Sequence, residues 1–296
     1  VRFGIQQDKV IANFRAQTGA ANEFNEAIRA GALDNLAMGA TLDESASSIR
    51  ALKNEYTDYT YLTETQSRAV DNQAVMLNKL GLSFSTQAKI MQTATQDMGM
   101  DVAQTTAMMG NMADTAKSLG IDIQELGQQF VQNSEFLVRF GSDGARVFRE
   151  LAVEAKALGT DVGTLIKVTD QFKTFDDAGR AVGRFNAILG GPYLNSIQLL
   201  NAAYEDPIEG IKMLREGFEQ AGMSAEDLAG ADLLALASAL NLSASETKRL
   251  LGESNEQLDI QQRSAEELAE AARRAQPVID QLKSAFLTAL ADAQPF

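Results

Sequence analysis

The fold is decided by the boundaries between helices, and the stretch AKSLGIDIQE at residues 116–125 shows one of them most fully. Gly120 suits the left-handed backbone that follows the last turn of a helix, because glycine has no Cβ to clash there. Asp122 is a typical N-cap residue, and Glu125 three positions later fits a capping box. The stretch therefore predicts that one helix ends near Gly120 and that the next begins after Asp122.

The same boundary recurs along the chain, which predicts a succession of short helices. A glycine or asparagine is followed two positions later by a serine or aspartate cap at Gly81 and Ser83, Gly99 and Asp101, Gly120 and Asp122, Gly159 and Asp161, Gly222 and Ser224, and Asn241 and Ser243. Asp206 before Pro207 marks a further start, because proline is favoured at the first helical position. Gly81, Gly120 and Gly159 are spaced by 39 residues, which favours helical hairpins that stack on their sequence neighbours, although ordinary helical proteins also use such turns.

The composition supports a helical chain and excludes several kinds of chemistry. The 296 residues include only four prolines, and β-type patterning is confined to residues 56–62. There is no cysteine and no histidine, so disulfides, thiolate nucleophiles, histidine-based triads and imidazole metal ligands are excluded. The formal net charge of −14 argues against nucleic-acid binding, since phosphate contacts need clustered lysines and arginines. We therefore predict an all-α protein without a cofactor, arranged as an elongated array of short capped helices and helical hairpins.

Three segments differ in their sequence pattern. Residues 1–80 are predicted as a helical lead-in, residues 81–251 as a helical-hairpin region, and residues 252–296 as an amphipathic segment with a longer C-terminal helix. In the last segment an apolar stripe with helical spacing either faces a partner or caps its own domain: Ile279, Leu282, Phe286 and Leu290. No apolar run reaches the roughly 20 residues that a transmembrane helix needs. The start of the sequence shows no signal-peptide pattern. Because the sequence begins at Val1 and not at a methionine, the chain was either processed or is a fragment of a longer one, and we expect the fragment.

Glycines mark a candidate contact surface in the second half of the chain. Gly179 and Gly183 are four residues apart, so they fall on one face of a helix predicted over residues 176–189. Small residues there allow a neighbouring helix to approach closely, either in the same chain or in another subunit. Gly190 and Gly191, followed by Pro192, then end this helix.

Two pairs of adjacent acids are the candidates for carboxylate catalysis: Asp176 with Asp177, and Glu226 with Asp227. A glycosidase needs two carboxylates that converge in a cleft, one of them with a raised pKa. Acidic residues near helix starts more often stabilise the helix dipole. We predict no catalytic or metal-binding residues, and a carboxylate-based lytic domain is kept as an alternative.

Residues 172–228 carry a resemblance to a known family. The pattern Phe-x-x-Phe-Asp-Asp-Ala at residues 172–178 is followed by GRFNAILGG at 183–191, and an Asp-Pro helix start leads to AGMSAEDL at 221–228. This stretch resembles the helical segments of tail tape measure proteins of long-tailed bacteriophages. The glycine turns between residues 80 and 165 have a similar character.

The resemblance implies a structural virion protein rather than an enzyme. Tape measure proteins are long helical chains that fill the tail tube, set its length and are anchored at the baseplate hub or tail tip. It implies tube and hub or tip proteins as partners, a homo-oligomer (trimer or hexamer), and a location in the phage tail after assembly in the host cytoplasm. Residues expected to contribute to partner binding or packing are Phe172, Phe175, Gly179, Gly183, Phe185, Gly190 and Gly191, with the stripe Ile279, Leu282, Phe286 and Leu290. The alternative is a helical-repeat adaptor that binds a protein partner.

Overall fold

The computed structural model of the chain describes residues 2–19, 24–34, 41–223, 228 and 230–252. Within these ranges every regular element is a helix, which confirms the all-α prediction. The α-helices are α1 (Arg2–Thr18), α2 (Asn25–Asp34), α3 (Leu42–Glu55), α4 (Glu64–Lys79), α5 (Phe84–Gln92), α6 (Val102–Leu119), α7 (Ile123–Gln132), α8 (Ser134–Val138), α9 (Gly144–Ala157), α10 (Val162–Asp170), α11 (Phe175–Leu189), α12 (Ser196–Glu205), α13 (Pro207–Gln220), α14 (Gly230–Leu240) and α15 (Ala244–Gly252). The elongated arrangement of these helices stays a prediction, and the stripe from Ile279 to Leu290 lies outside the described residues.

The predicted helix boundaries are confirmed by the backbone. All six turn positions named above have positive φ angles, from 56° at Asn241 to 109° at Gly81. Asp101 and Gln104 make the expected reciprocal capping box. At Asp122 half of the expected box is present, because the Asp122 Oδ1 accepts hydrogen bonds from the backbone N–H groups of Gln124 and Glu125, while the Glu125 side chain accepts one from Gln129. Ser224 is the one predicted cap that lies outside the described ranges. Local chemistry at each boundary thus determines where the helices end.

Equal glycine spacing does not give equal numbers of helices. The interval from Gly81 to Gly120 holds α5, a π-helical turn at Thr93–Asp97 and α6. The interval from Gly120 to Gly159 holds three helices, because the short α8 and a 3-10 turn at Gly141–Asp143 follow α7. The prediction of two helices per 39 residues is therefore wrong for the second interval.

The tyrosine-rich stretch at residues 56–62 forms a 3-10 helix, Thr57–Tyr61. Tyr56 and Tyr59 are buried, whereas Tyr61 is exposed. The backbone N–H of Thr57 donates a hydrogen bond to the Gln92 Oε1, at 2.8 Å, which fastens the 3-10 helix beside the end of α5. The β-type alternation here reflects a short helix that turns Tyr59 to the core and Tyr61 to solvent.

The chain folds into two compact units, and the boundary between Val131 and Gln132 separates them. This boundary lies inside the segment 81–251, which was predicted as one region. In the described part of the first unit, α3 lies at the centre and packs against α1, α2, α4 and α5. At the end of this unit α7 passes close to the start of α5. A Cβ at Gly127 would lie 2.7 Å from the Leu82 Cδ1 and 3.1 Å from the Thr86 Cγ2, so the absence of a side chain permits this contact.

The second unit is organised around α13. This helix packs against α9, α10, α12 and α15, and α11 packs against α12 and α14. Its core contains apolar side chains from each of these helices, such as Leu151, Leu165, Phe185, Leu199 and Leu214. The hairpin of α11 and α12 belongs to this unit and carries the first part of the resemblance, whereas the Asp-Pro start of the second part opens α13.

Candidate functional site

The α11–α12 hairpin begins with a capped helix start. The hydroxyl oxygen of Thr174 accepts a hydrogen bond from the backbone N–H of Asp177, at 3.1 Å. From there α11 turns Ala178, Val182 and Phe185 into the core, while its opposite face is exposed. The helix ends at Gly190, whose φ angle of 77° places it in the left-handed region.

Asn186 holds the loop between the two helices. Its side-chain N–H donates to the Leu194 carbonyl oxygen, and its side-chain oxygen accepts from the Leu194 backbone N–H, both at 2.9 Å. The backbone N–H of Gly191 also donates to the Asn186 carbonyl oxygen, at 3.1 Å. The phrase GRFNAILGG thus has a structural explanation, since its asparagine and glycines end α11 and fix the return of the chain.

Leu194 is buried by this loop and lies over Gly217 of α13. A Cβ built at Gly217 would lie 3.0 Å from the Leu194 Cγ and nearer still to one of its methyl carbons. Both residues fall within the stretch 172–228, although neither was predicted as a contact. The close approach that sequence reasoning expected at Gly179 and Gly183 occurs here instead.

We expect Gly217→Ala to destabilise the protein by about 1–3 kcal/mol, because the new methyl group would overlap Leu194. Alanine is normally favoured over glycine inside a helix by about 1 kcal/mol, so the direction of the change is diagnostic. The measurement is urea unfolding followed by circular dichroism. The matched control is Gly179→Ala, where a Cβ meets open space and stability should rise by about 0.5–1 kcal/mol. If Gly217→Ala stabilised the protein as the control does, the predicted overlap would be wrong.

The predicted contact residues within the described ranges differ in their burial. Phe172 and Phe185 are buried in the core of the second unit, so neither is available to a partner in this conformation. Phe175 is 69% exposed, and Gly179, Gly183 and Gly190 are exposed as well. Gly191 is half-buried beside Tyr193.

Gly179 and Gly183 do not pack against a helix within the described part of the chain. A Cβ at either position would meet no described heavy atom within 4 Å. The explanation by close packing inside the chain therefore fails at these positions, because α11 turns this side outward. Packing between subunits at the two glycines stays a prediction.

Two further exposed apolar side chains lie on α12, beside α11. Ile197 and Tyr204 are each 52% exposed, and the Tyr204 hydroxyl donates to the Lys173 carbonyl oxygen, at 2.8 Å. This bond places the Tyr204 hydroxyl beside Lys173, two residues before α11 begins. Sequence analysis did not name them, although their spacing of seven residues puts both on one face of a helix.

Charged side chains flank the exposed face of α11. Arg180 forms an ion pair with Asp176 and lies 3.8 Å from an oxygen of Asp177. Arg184 is exposed and makes no ion pair with any described residue. The helix is therefore acidic at its N-terminal end and basic further along.

Asp71, in the first unit, has a strongly perturbed pKa. It is buried where α3, the 3-10 helix and α4 meet, and its oxygens accept hydrogen bonds from Tyr59, at 2.8 Å, and Ser48, at 3.4 Å. Burial raises the pKa of Asp71 to about 7, against the lowering effect of both hydroxyls. Burial also raises the pKa of Tyr59. Sequence analysis missed this cluster, since nothing around residue 71 shows that its carboxylate is buried.

The second unit contains a buried ion pair that sequence analysis also missed. An oxygen of Glu154 on α9 lies 2.5 Å from a guanidinium nitrogen of Arg215 on α13, and each side chain is only 1% exposed. Of the predicted acidic pairs, Asp176 and Asp177 are engaged by Arg180, whereas Glu226 and Asp227 lie outside the described residues. Across the described ranges no three acidic side chains are placed to hold a metal ion.

The described helices include none with the length and apolar composition of a membrane span. Comparison of the chain with protein-family models, curated proteins and solved structures found no significant match in any of the three.

Proposed function

We propose that this chain is a non-enzymatic structural protein of a long-tailed bacteriophage, in the role of a tape measure protein. The observation that supports this proposal most is the resemblance of residues 172–228 to helical segments of tape measure proteins. Asn186, Gly190 and Gly191 of this stretch end a helix and fix the loop of a hairpin, which supports an architectural role for this sequence pattern. The proposed partners are tail tube proteins and proteins of the baseplate hub or tail tip, in a virion that contains the chain as a homo-oligomer.

Helical structure suits a molecule that measures length. An α-helix rises about 1.5 Å per residue, so a helical chain converts a number of residues into a reproducible distance. The chain also lacks cysteine, so no disulfide would have to break if the helices rearranged in a narrow tube. The same properties are compatible with a helical adaptor, which is the second reading of the sequence.

An enzymatic role has less support. A glycosidase needs two carboxylates in one cleft. The exposed pair of Asp176 and Asp177 lies at the start of α11, where acidic residues stabilise the helix dipole and pair with Arg180. The buried Glu154 is neutralised by Arg215. These contacts give Asp176, Asp177 and Glu154 structural roles, which supports the non-enzymatic proposal.

Tail length in the phage tests the proposal. In-frame deletions of helical sequence in the encoding gene, with residues 172–228 left intact, should shorten the tails by about 1.5 Å for each helical residue removed. Negative-stain electron microscopy measures the tails directly. As a control, a deletion of equal length inside 172–228 should prevent tail assembly rather than shorten it.

Unchanged tail length in viable deletion variants would overturn the proposal. Another protein would then set the length, and this chain would be better explained as a helical adaptor. A monomer that binds one soluble protein tightly would point the same way.

A further inference from the structure

One face of α11 combines an exposed aromatic side chain with small and charged residues. We call it the α11 face, and it comprises Phe175, Asp176, Gly179, Arg180, Gly183, Arg184 and Ala187, all exposed. Two more large apolar side chains, Tyr204 and Ile197, are exposed on α12, which packs against α11, and the Tyr204 hydroxyl donates to the Lys173 carbonyl oxygen just before α11 begins. Large apolar side chains exposed on neighbouring helices are typical of a protein–protein contact.

The charges of the α11 face indicate what covers it. Asp176 and Asp177 open the helix, and Arg180 and Arg184 follow within two turns. Such a helix is complementary to itself when two copies run in opposite directions, because the basic half of each then lies beside the acidic start of the other. Arg184, which has no ionic partner among the described residues, would acquire one in this arrangement.

Side-chain size agrees with the same antiparallel register. We place the crossing point of the two helices midway between Gly179 and Gly183. Gly179 of each copy then faces Gly183 of the other copy. Phe175 then faces Ala187 of the second copy, so the large ring meets a small residue. Arg184 falls next to the acidic pair at the start of the opposite helix.

We propose that the α11 face is a self-association surface, on which two copies of this chain pair their α11 helices antiparallel about a two-fold axis. The pairing concerns the free chain and does not rest on the tail function proposed above. Residues 175–187 span about 18 Å of helix. Such a contact is smaller than the roughly 800 Å² per partner of a standard interface, so we expect a weak, concentration-dependent dimer.

Sedimentation equilibrium of the full chain at low salt measures this dimer. Phe175→Ser and Gly183→Leu should each raise the dimer dissociation constant at least about tenfold, because one removes the aromatic anchor and the other separates the helices. Arg184→Glu should also raise the dissociation constant, because the new carboxylate would lie beside Asp176 and Asp177 of the second copy. Arg149→Glu, an equal charge change at an exposed position of α9, is the matched control and should leave the constant unchanged. Circular dichroism of each variant checks that the helices remain intact.

A complementation experiment tests the antiparallel orientation. Asp176→Lys and Arg184→Glu should each weaken the homodimer, whereas an equimolar mixture should form a heterodimer. In that mixture Glu at 184 meets Lys at 176, and the native Asp176 meets the native Arg184.

Three results would overturn the proposal. The chain could stay monomeric at every concentration, or its dimer could tolerate both Phe175→Ser and Arg184→Glu. The third is a mixture of the two charge variants that associates no better than either variant alone, which would exclude the antiparallel pairing.

Discussion

Replacing Arg215 with methionine is expected to lower the free energy of unfolding by about 3–5 kcal/mol, because the Glu154 carboxylate would be left buried without its cation. The two side chains join α9 to α13 inside the second unit, and both are almost completely buried. Urea unfolding followed by circular dichroism measures the loss.

The exposed pair on the same helix provides the control. Arg146 and Glu150 lie 2.9 Å apart on α9, with their side chains partly in solvent. Arg146→Met should change stability by less than about 1 kcal/mol, since exposed ion pairs contribute little. The double variant of Glu154→Leu with Arg215→Met should recover most of the stability, because apolar side chains of similar volume replace buried pairs well. A loss below about 1 kcal/mol for Arg215→Met alone would contradict this account of the pair.

Stability of the wild-type chain should fall as the pH rises from about 4 to about 7, because of Asp71. The folded chain holds this proton up to a pKa of about 7, whereas the ordinary value in an unfolded chain is 3.8. Between these values the folded state binds more protons than the unfolded state, so raising the pH favours unfolding. The full difference corresponds to at most about 4 kcal/mol, at 1.36 kcal/mol for each pKa unit.

The substitution Asp71→Asn separates this contribution from other titrating groups. Asparagine keeps an oxygen that accepts a hydrogen bond from Tyr59 and does not ionise. The fall in unfolding free energy between pH 4 and pH 7 should therefore become shallower in the variant. Asp114→Asn, at an exposed position of α6, should leave the wild-type pH dependence unchanged. Parallel curves for wild type and Asp71→Asn would show that Asp71 titrates normally.

The helix boundaries could be predicted because their causes are adjacent in sequence. Gly120 and Asp122 interact with the ends of their own helices, and no distant residue is needed to explain them. The same reasoning placed Asp206 as a cap before Pro207, and the Asp206 side chain accepts hydrogen bonds from Ile208 and Glu209. The fold class and most of the turns could therefore be predicted from local sequence alone.

Contacts between distant residues could not be predicted in this way. Leu194 covers Gly217, and Glu154 meets Arg215, only because the second unit brings separate helices together. The aromatic residues show the same limit. Phe172 and Phe175 are three positions apart, which suggests one face of a helix, but the Thr174 cap separates them, so the first is buried and the second exposed.

The ion pair between Glu154 and Arg215 also sets an order for events during protein synthesis. The two residues are 61 positions apart, so the arginine does not exist until those residues have been translated. At about 5–20 residues per second, this takes about 3–12 s. During that time Arg215 is not yet present to pair with the Glu154 carboxylate. Because burial of an unpaired carboxylate costs free energy, we expect this side chain to stay in contact with water until then. Closure of the second unit around α13 therefore has to wait until the ribosome has synthesised Arg215.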